Sequence, residues 1–172
     1  MVTNRSFAIR PADPDDLLDV LRVLAEGGSD QGAPDEGALD GATVRETETW
    51  ARMTATEGLT VYLAEVDGEA VGTATLLLMP NLTYDCAPTA FIEAVVVVAA
   101  RRREGIATAV IRRILADAQA AGCNKVQLLS HKRHATDGAH RLYMSLGFTP
   151  EAEGFRLYLG PVPDPVHEAG MA

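Results

Sequence analysis

Residues 91–115 read FIEAVVVVAARRREGIATAVIRRIL, and a change of rhythm inside them decides the fold. Residues 94–100 are seven consecutive apolar side chains, mostly valine, a run of strand length that needs cover on both faces. From Ile106 the apolar residues recur instead at Val110, Ile111, Ile114, Leu115 and Ala118, one face of a helix over 102–121, with Arg112, Arg113 and Asp117 largely turned away. A buried strand thus delivers the chain through an arginine-rich turn into a helix. The first N–H groups of such a helix have no intrahelical acceptor and sit at the positive end of its dipole, which suits a phosphate. Gly105 permits close approach or an unusual dihedral, Ala107 keeps the wall low, and Arg101, Arg102 and Arg103 can pair with phosphate oxygens. A solvated turn of arginines accounts for the same residues without a ligand. The Gly-x-x-x-x-Gly-Lys pattern is absent, as is Gly-x-Gly-x-x-Gly after the first strand, so this is neither of those phosphate cradles.

Working outward, residues 7–10 read as a short strand ended by Pro11. Asp13 and Pro14 then open a helix carrying Leu17, Leu18, Leu21 and Leu24 at helical spacing. Residues 27–41 hold five glycines and one proline among polar residues and read as a surface segment, leading into a second helix over 43–57 with Trp50 and Met53 on its apolar side. Strands are expected at 60–66 and 69–79, joined by a hairpin turn at Asp67-Gly68. A loop over 80–88 follows, and then the most apolar strand, 90–98, a candidate for the centre of the sheet. After the long helix, Gly122 supplies a left-handed cap, 125–130 a strand, 137–146 a short helix ending at Gly147, and 155–159 a last strand. Early hairpins and late strand–helix–strand crossovers imply an α/β (α+β) domain, a mixed sheet with helices on both faces. One domain over 5–160 and a flexible tail over 161–172 are expected.

With 172 residues, 47% of them hydrophobic, the chain is long enough for a single continuous core. No apolar run approaches the roughly eighteen residues needed to cross a bilayer, and the N-terminus lacks the long apolar stretch of a secretory signal, so a cytoplasmic protein without membrane contact is expected. Cys86 and Cys123, the only cysteines, read as reduced thiols. The net charge of −9 disfavours nucleic acid as a partner. Residues 1–92 carry sixteen acidic and five basic side chains, residues 93–172 eight and ten, so an anionic ligand prefers the second part and a cationic partner the first. His131, His134 and His140 have separations that fit no tight zinc site, and no metal is expected.

Two segments together carry a resemblance. Arg102-x-x-Gly105-x-Ala107 resembles the coenzyme A motif, Gln/Arg-x-x-Gly-x-Gly/Ala, of the GNAT superfamily of acyl-CoA-dependent N-acyltransferases, and residues 139–148, AHRLYMSLGF, resemble its tyrosine followed by a Leu-Gly-Phe corner. The order of elements is similar over roughly residues 5–160. The resemblance implies a single-domain, mostly antiparallel sheet splayed between its two central strands, and acetyl-CoA as co-substrate. It implies that the pyrophosphate sits on backbone amides of Arg102, Arg103, Glu104, Gly105, Ile106, Ala107 and Thr108, and that the pantetheine arm pairs with Val95, Val96 and Val97. A bulged central strand would offer unpaired backbone groups to such a ligand. Where the family often has glycine, this chain has Arg103, whose bulk bears on the loop geometry.

Acyl transfer to an amine needs a neutral nucleophile, a polarised thioester carbonyl and a protonated leaving thiolate. Glu93, a carboxylate in an otherwise apolar strand whose surroundings would raise its proton affinity, is the expected base. Strand parity puts it on one face with Val95 and Val97 unless a bulge intervenes. The resemblance assigns the same residue, acting directly or through water. An ion pair with a nearby arginine is its bland alternative. Tyr143 shares a helix face with Ala139, Leu142 and Leu146, as a core aromatic would, and the resemblance makes it the acid that protonates the thiolate. A backbone N–H at Val95 or Val96 is expected to polarise the carbonyl. His131, Lys132 and Arg133 would border the coenzyme. The acceptor is expected at residues 30–48 and 81–87, with Tyr84 as a contact, and their acidity suits a small cationic amine. A peptide amine, or a binding module without turnover, are the alternatives, and a homodimer is compatible with the family.

Overall fold

The computed structural model describes residues 7–26, 41–132, 138–157 and 159. Five strands, β1 (Ala8–Pro11), β2 (Leu59–Val66), β3 (Glu69–Met79), β4 (Thr89–Val97) and β5 (Lys125–Leu128), lie in the order β1-β2-β3-β4-β5. All neighbouring pairs are antiparallel except β4–β5, which is parallel. The helices are α1 (Leu17–Glu26), α2 (Val44–Ala55), α3 (Ile106–Ala120) and α4 (Ala139–Ser145).

Local chemistry sets most boundaries where the sequence puts them. Asp13 caps a single 3-10 turn, Pro14–Asp16, ahead of α1, and Asp16 returns a carboxylate oxygen to the Asp13 N–H at 2.7 Å. Thr43 and Glu46 form the same reciprocal box at the start of α2. Asp67 and Gly68 both take positive φ, the requirement of a tight hairpin between β2 and β3. Four expectations are corrected. The central strand of the five is β3, and β4 lies between β3 and β5. The long helix starts at Ile106, because Arg103 and Gly105 are left-handed and break any ladder from 102. Helix α1 buries Val20 and Val23 and leaves Leu18 exposed, so its inner face is rotated from the leucine spacing. Finally, residues 155–157 and 159 form no strand, and Phe155, Leu157 and Leu159 are exposed. The expected surface segment over 27–41 and the tail fall, apart from Gly41, outside the described residues.

Register assigns the faces. Tyr62, Ala74, Leu76, Ala90 and Ile92 fall on one face, since cross-strand partners share a side. Helix α3 covers it: the Tyr62 hydroxyl donates to Asp117 at 2.6 Å, and a Cβ on Gly72 would lie 3.0 Å from Ile106 Cγ2. On the other face lie Val61, Leu63, Thr73, Thr75, Leu77, Met79, Phe91 and Glu93. Continuous burial over Val61–Ala64 requires cover on this side too, and it comes from α1 and α2, with Arg10 joined to Asp16 at 2.7 Å and Trp50 Nε1 donating to the Pro14 carbonyl at 2.9 Å.

Candidate active site

The strand-to-helix corner is a chain of turns. After β4 a 3-10 turn, Ala99–Arg101, leads to Arg102, which donates from Nε to the Val97 carbonyl at 3.3 Å and so folds back over the end of β4. Arg103 has φ +64°, the left-handed conformation that glycine adopts freely, so the loop keeps a glycine-like backbone although an arginine occupies the position. Gly105, φ +88°, caps α3, and only Phe7, at 4.0 Å, lies near its missing Cβ. Its glycine answers a dihedral requirement more than a spatial one. The first helical bond runs from Ala109 N to the Gly105 carbonyl, which leaves the N–H groups of Ile106, Ala107 and Thr108 ahead of the ladder at the positive end of a 15-residue helix. Glu104 brings a negative charge into this cradle, and Arg101 pairs with it at 3.5 Å.

Among the described residues, strand β4 reaches the corner with one edge open. Its pairing with β5 runs from Thr89↔Lys125 to Ile92↔Leu128 and stops there, so residues 93–97 are laddered to β3 alone. This is the splay. Against β3 the register slips between Thr73↔Val96 and Thr75↔Glu93, three steps on β4 to two on β3, and Ala94 within that interval has φ +50°. It is a β-bulge, which takes backbone groups out of the ladder beside Val95. The bulge also overturns the simple parity: Val96, not Val95 or Val97, returns to the face of Glu93, while Val97 sits opposite Gly72 on the α3 side.

Glu93 immediately precedes the bulge, cross-strand from Thr75. It is exposed, so the apolar enclosure expected of it does not exist. Tyr143 on α4 is half-buried against the core, with its ring edge-on to Phe148 at 6.0 Å between centroids, and the Phe148 N–H donates to the Tyr143 carbonyl at 3.1 Å, which closes the Leu-Gly-Phe corner. His131 and Lys132 are exposed after β5, the His131 carbonyl lies 3.2 Å from His140 Nε2, and Arg133 falls outside the described residues. Asn81 ties the 81–87 loop by donating to Ala87 O and Thr89 Oγ1, both at 3.0 Å, while Tyr84, Asp85 and Cys86 run left-handed and Lys125 Nζ stands 5.2 Å over the Tyr84 ring. Both cysteines are free, and burial pushes the Cys123 thiol up, which suits an inert side chain. Sequence reasoning missed Thr75, Ala94 and the Arg102 clamp on Val97. Nothing local marks them, since each depends on cross-strand register or chain reversal.

Against known proteins, the sequence model of the acetyltransferase (GNAT) family matches residues 31–148. Among solved structures, a protein of Agrobacterium tumefaciens str. C58, provisionally described as an acetyltransferase, is 34% identical with a TM-score of 0.77, over 88% of this chain and 99% of its own. A protein described as a transcriptional regulator from Bacillus halodurans C-125 is 26% identical with a TM-score of 0.78, over 89% and 99%. AAC(6')-Iy, solved in complex with the bisubstrate analogue CoA-S-monomethyl-acetylneamine, shares the fold at 19% identity and a TM-score of 0.69, over 91% and 99%.

Proposed function

The chain belongs to the acetyltransferase (GNAT) family, and from that premise we propose that it transfers the acetyl group of acetyl-CoA to a primary amine on a small molecule, by direct attack within a ternary complex. The observation that carries this reading is the continuity of two features: the open, bulged edge of β4 over 93–97 runs directly into the helix-terminal cradle at 102–108. An extended amide-bearing arm ending in a pyrophosphate needs that sequence of groups, unpaired backbone followed by outward N–H donors and arginines.

In this reading Ile106, Ala107 and Thr108, with Arg102, Arg103, Glu104 and Gly105, hold the pyrophosphate by backbone amides, and Val95, Val96 and Val97 pair with the pantetheine arm. A backbone N–H freed by the bulge, at Val95 or Val96, polarises the thioester carbonyl. Glu93 takes a proton from the ammonium, directly or through one water, which its exposure allows. The amine nitrogen then bonds to the carbonyl carbon, the C–S bond breaks as Tyr143 gives its phenolic proton to the departing thiolate, and the second proton lost by the nitrogen as it becomes an amide returns through solvent to the Tyr143 phenolate. No covalent enzyme intermediate is required. A small acceptor is favoured by analogy with the aminated analogue held on the AAC(6')-Iy fold.

The test is release of free coenzyme A thiol from acetyl-CoA in the presence of amines, with Glu93→Gln and Tyr143→Phe alongside. Each substitution is expected to lower kcat by about 10²–10⁴-fold. Undiminished turnover in both variants overturns the assignment of these residues. The likeness to a protein described as a transcriptional regulator favours one second reading, an acyl-CoA-responsive binding module. Acetyl-CoA binding without release across the amine set would establish that reading instead.

A further inference from the structure

The sheet face that carries Glu93 is half covered. Along β3 the side chains on this face pass from Thr73, which is buried, to Thr75, half-buried, and then to Leu77 and Met79, which are 37% and 42% exposed. Their cross-strand partners extend the opening sideways: Leu77 lies between Leu59 on β2 and Phe91 on β4, both only partly buried. Beyond the end of β5, Leu129 is 56% exposed. The opposite face has no such gap, for Leu76 and Ile92, one step along from these residues, are each 2% exposed. Glu93 therefore stands at the border of an apolar patch made of Leu77, Phe91, Met79 and Leu59. Among the described residues, the nearest cation on the same face of the strands is Lys125, four β4 positions away in register and engaged over the Tyr84 ring.

We propose that this patch seats an apolar body carried by the acceptor, so that the preferred acceptors are primary amines borne on alkyl or aryl groups, not on polyhydroxylated or polycationic frameworks. The inference rests on the acyl-transfer reading and on Glu93 as the group that meets the amine. The occupant follows from charge and continuity. An ammonium is drawn to Glu93, since Glu65, further along the same face, is already held by Arg10 at 2.7 Å, and a body attached to the nitrogen that follows the strands lies along Thr75 and on to Leu77 and Phe91. Hydroxyls laid over Leu77, Met79 and Leu59 would lose water over apolar atoms, the polar side chains of this face, Gln127 opposite Phe91 and Thr89 opposite Met79, lying only at its β4–β5 border, whereas methylenes would gain from leaving water. Among the described residues, a polycation would find on these rows only Glu93 as a carboxylate not already held by an arginine, Glu65 being engaged by Arg10.

The test is kcat/KM for a series from ethylamine to hexylamine and for phenethylamine, with glucosamine and spermidine as contrasts, at saturating acetyl-CoA. Each added methylene is expected to raise kcat/KM by about two- to fourfold, the upper value being that for full burial of one methylene. Leu77→Asn, at an exposed position, should collapse the hexylamine-to-ethylamine ratio toward one and leave the KM for acetyl-CoA in place, and Met79→Gln should do so more weakly. A flat or falling series, or glucosamine and spermidine turning over as well as hexylamine, overturns the proposal while leaving acyl transfer intact. Absence of thiol release with every amine overturns acyl transfer itself and the proposal with it.

Discussion

On the face covered by α3, Tyr62, Ala74, Leu76, Ala90 and Ile92 are all at most 2% exposed, whereas on the opposite face burial along β3 runs through Thr73, falls off at Thr75 and gives way to exposed Leu77 and Met79. The difference follows from what each helix layer must hold. If the first turn of α3 holds the pyrophosphate as proposed, a displacement of that turn by a fraction of an ångström would misalign its donors. The inner face of α3, Ile106, Val110, Ile111, Ile114 and Ala118, is accordingly buried along its whole length. On the face of α1 and α2, Glu93, Leu77 and Met79 are exposed. In the proposed reading, the closed face fixes the donor and the open one admits the acceptor.

The widest separation between the faces is expected in stability. Ile114→Ala removes a fully buried side chain and should lower the unfolding free energy by about 2–5 kcal/mol, while Leu77→Ala, cut from the open face, should change it by less than about 1 kcal/mol. Urea unfolding of the two variants decides the matter, and equal losses would mean that the second face is closed in solution. Gly72→Ala comes next. Its new Cβ would lie 3.0 Å from Ile106 Cγ2, 3.3 Å from the Val96 carbonyl and 3.4 Å from Ala64 Cβ, an overpacking expected to destabilise by about 1–3 kcal/mol. Because Ile106 is the first residue of α3, the same substitution should raise the KM for acetyl-CoA. Destabilisation with KM unchanged would separate the core from the cradle.

How much of this was legible in the sequence depended on whether the signal was local. The caps at Asp13 and Thr43, the Asp67-Gly68 turn, the apolar stripe of α3 and the left-handed Gly122 are each written within a few residues and appear where expected. The bulge at Ala94 was legible only as a contingency, because nothing in a run of valines says where the register slips, and that slip decides which valine shares a face with Glu93. Glu93 itself was found by its oddity in an apolar strand, but its exposure was not, since that depends on tertiary packing. The last strand expected at 155–159 is not formed by residues 155–157 and 159, whose Phe155, Leu157 and Leu159 stand exposed. The sequence indicated the helix start and the strand carboxylate but not the tertiary relations that orient them.

A subtler contrast comes from the carboxylates that strap each helix layer to the sheet. Hydrogen bonds from Arg10 hold the Asp16 carboxyl below its ordinary range against the opposing effect of burial, aided by the Asp13 N–H. Burial presses the Asp117 carboxyl upward, but the Tyr62 hydroxyl and Arg113 outweigh it and hold that group low as well. A carboxyl with a depressed native pKa binds fewer protons folded than unfolded. The stability it confers is therefore complete above the unfolded value of about 3.9 and is lost as the pH falls through the native one. Urea midpoints should decline below about pH 4, and Asp16→Asn or Asp117→Asn should each flatten that decline. The two faces then part company: Asp117→Asn should raise the KM for acetyl-CoA by loosening α3, and Asp16→Asn should not. A rise in both would couple the layers.

The smallest effect expected is at Arg103, and it tests what the cradle uses there. Left-handed backbone costs an L-residue about 1–2 kcal/mol, which glycine escapes, but glycine also loses about 0.5–1 kcal/mol more on folding through the freedom of its unfolded chain. Arg103→Gly should therefore leave stability within about 1 kcal/mol of the parent, on the stabilised side, while Arg103→Val should destabilise because a β-branched residue tolerates the left-handed region worst. If the loop acts on the pyrophosphate through backbone amides, Arg103→Gly should bind acetyl-CoA within a few-fold of the parent at moderate salt, and the weak dependence of that ratio on ionic strength would show that the side chain contributes little. A large loss that vanishes in high salt would mean that the guanidinium itself meets the phosphate. The closed face would then deliver its helix end to the donor and still rely on an exposed side chain to hold it.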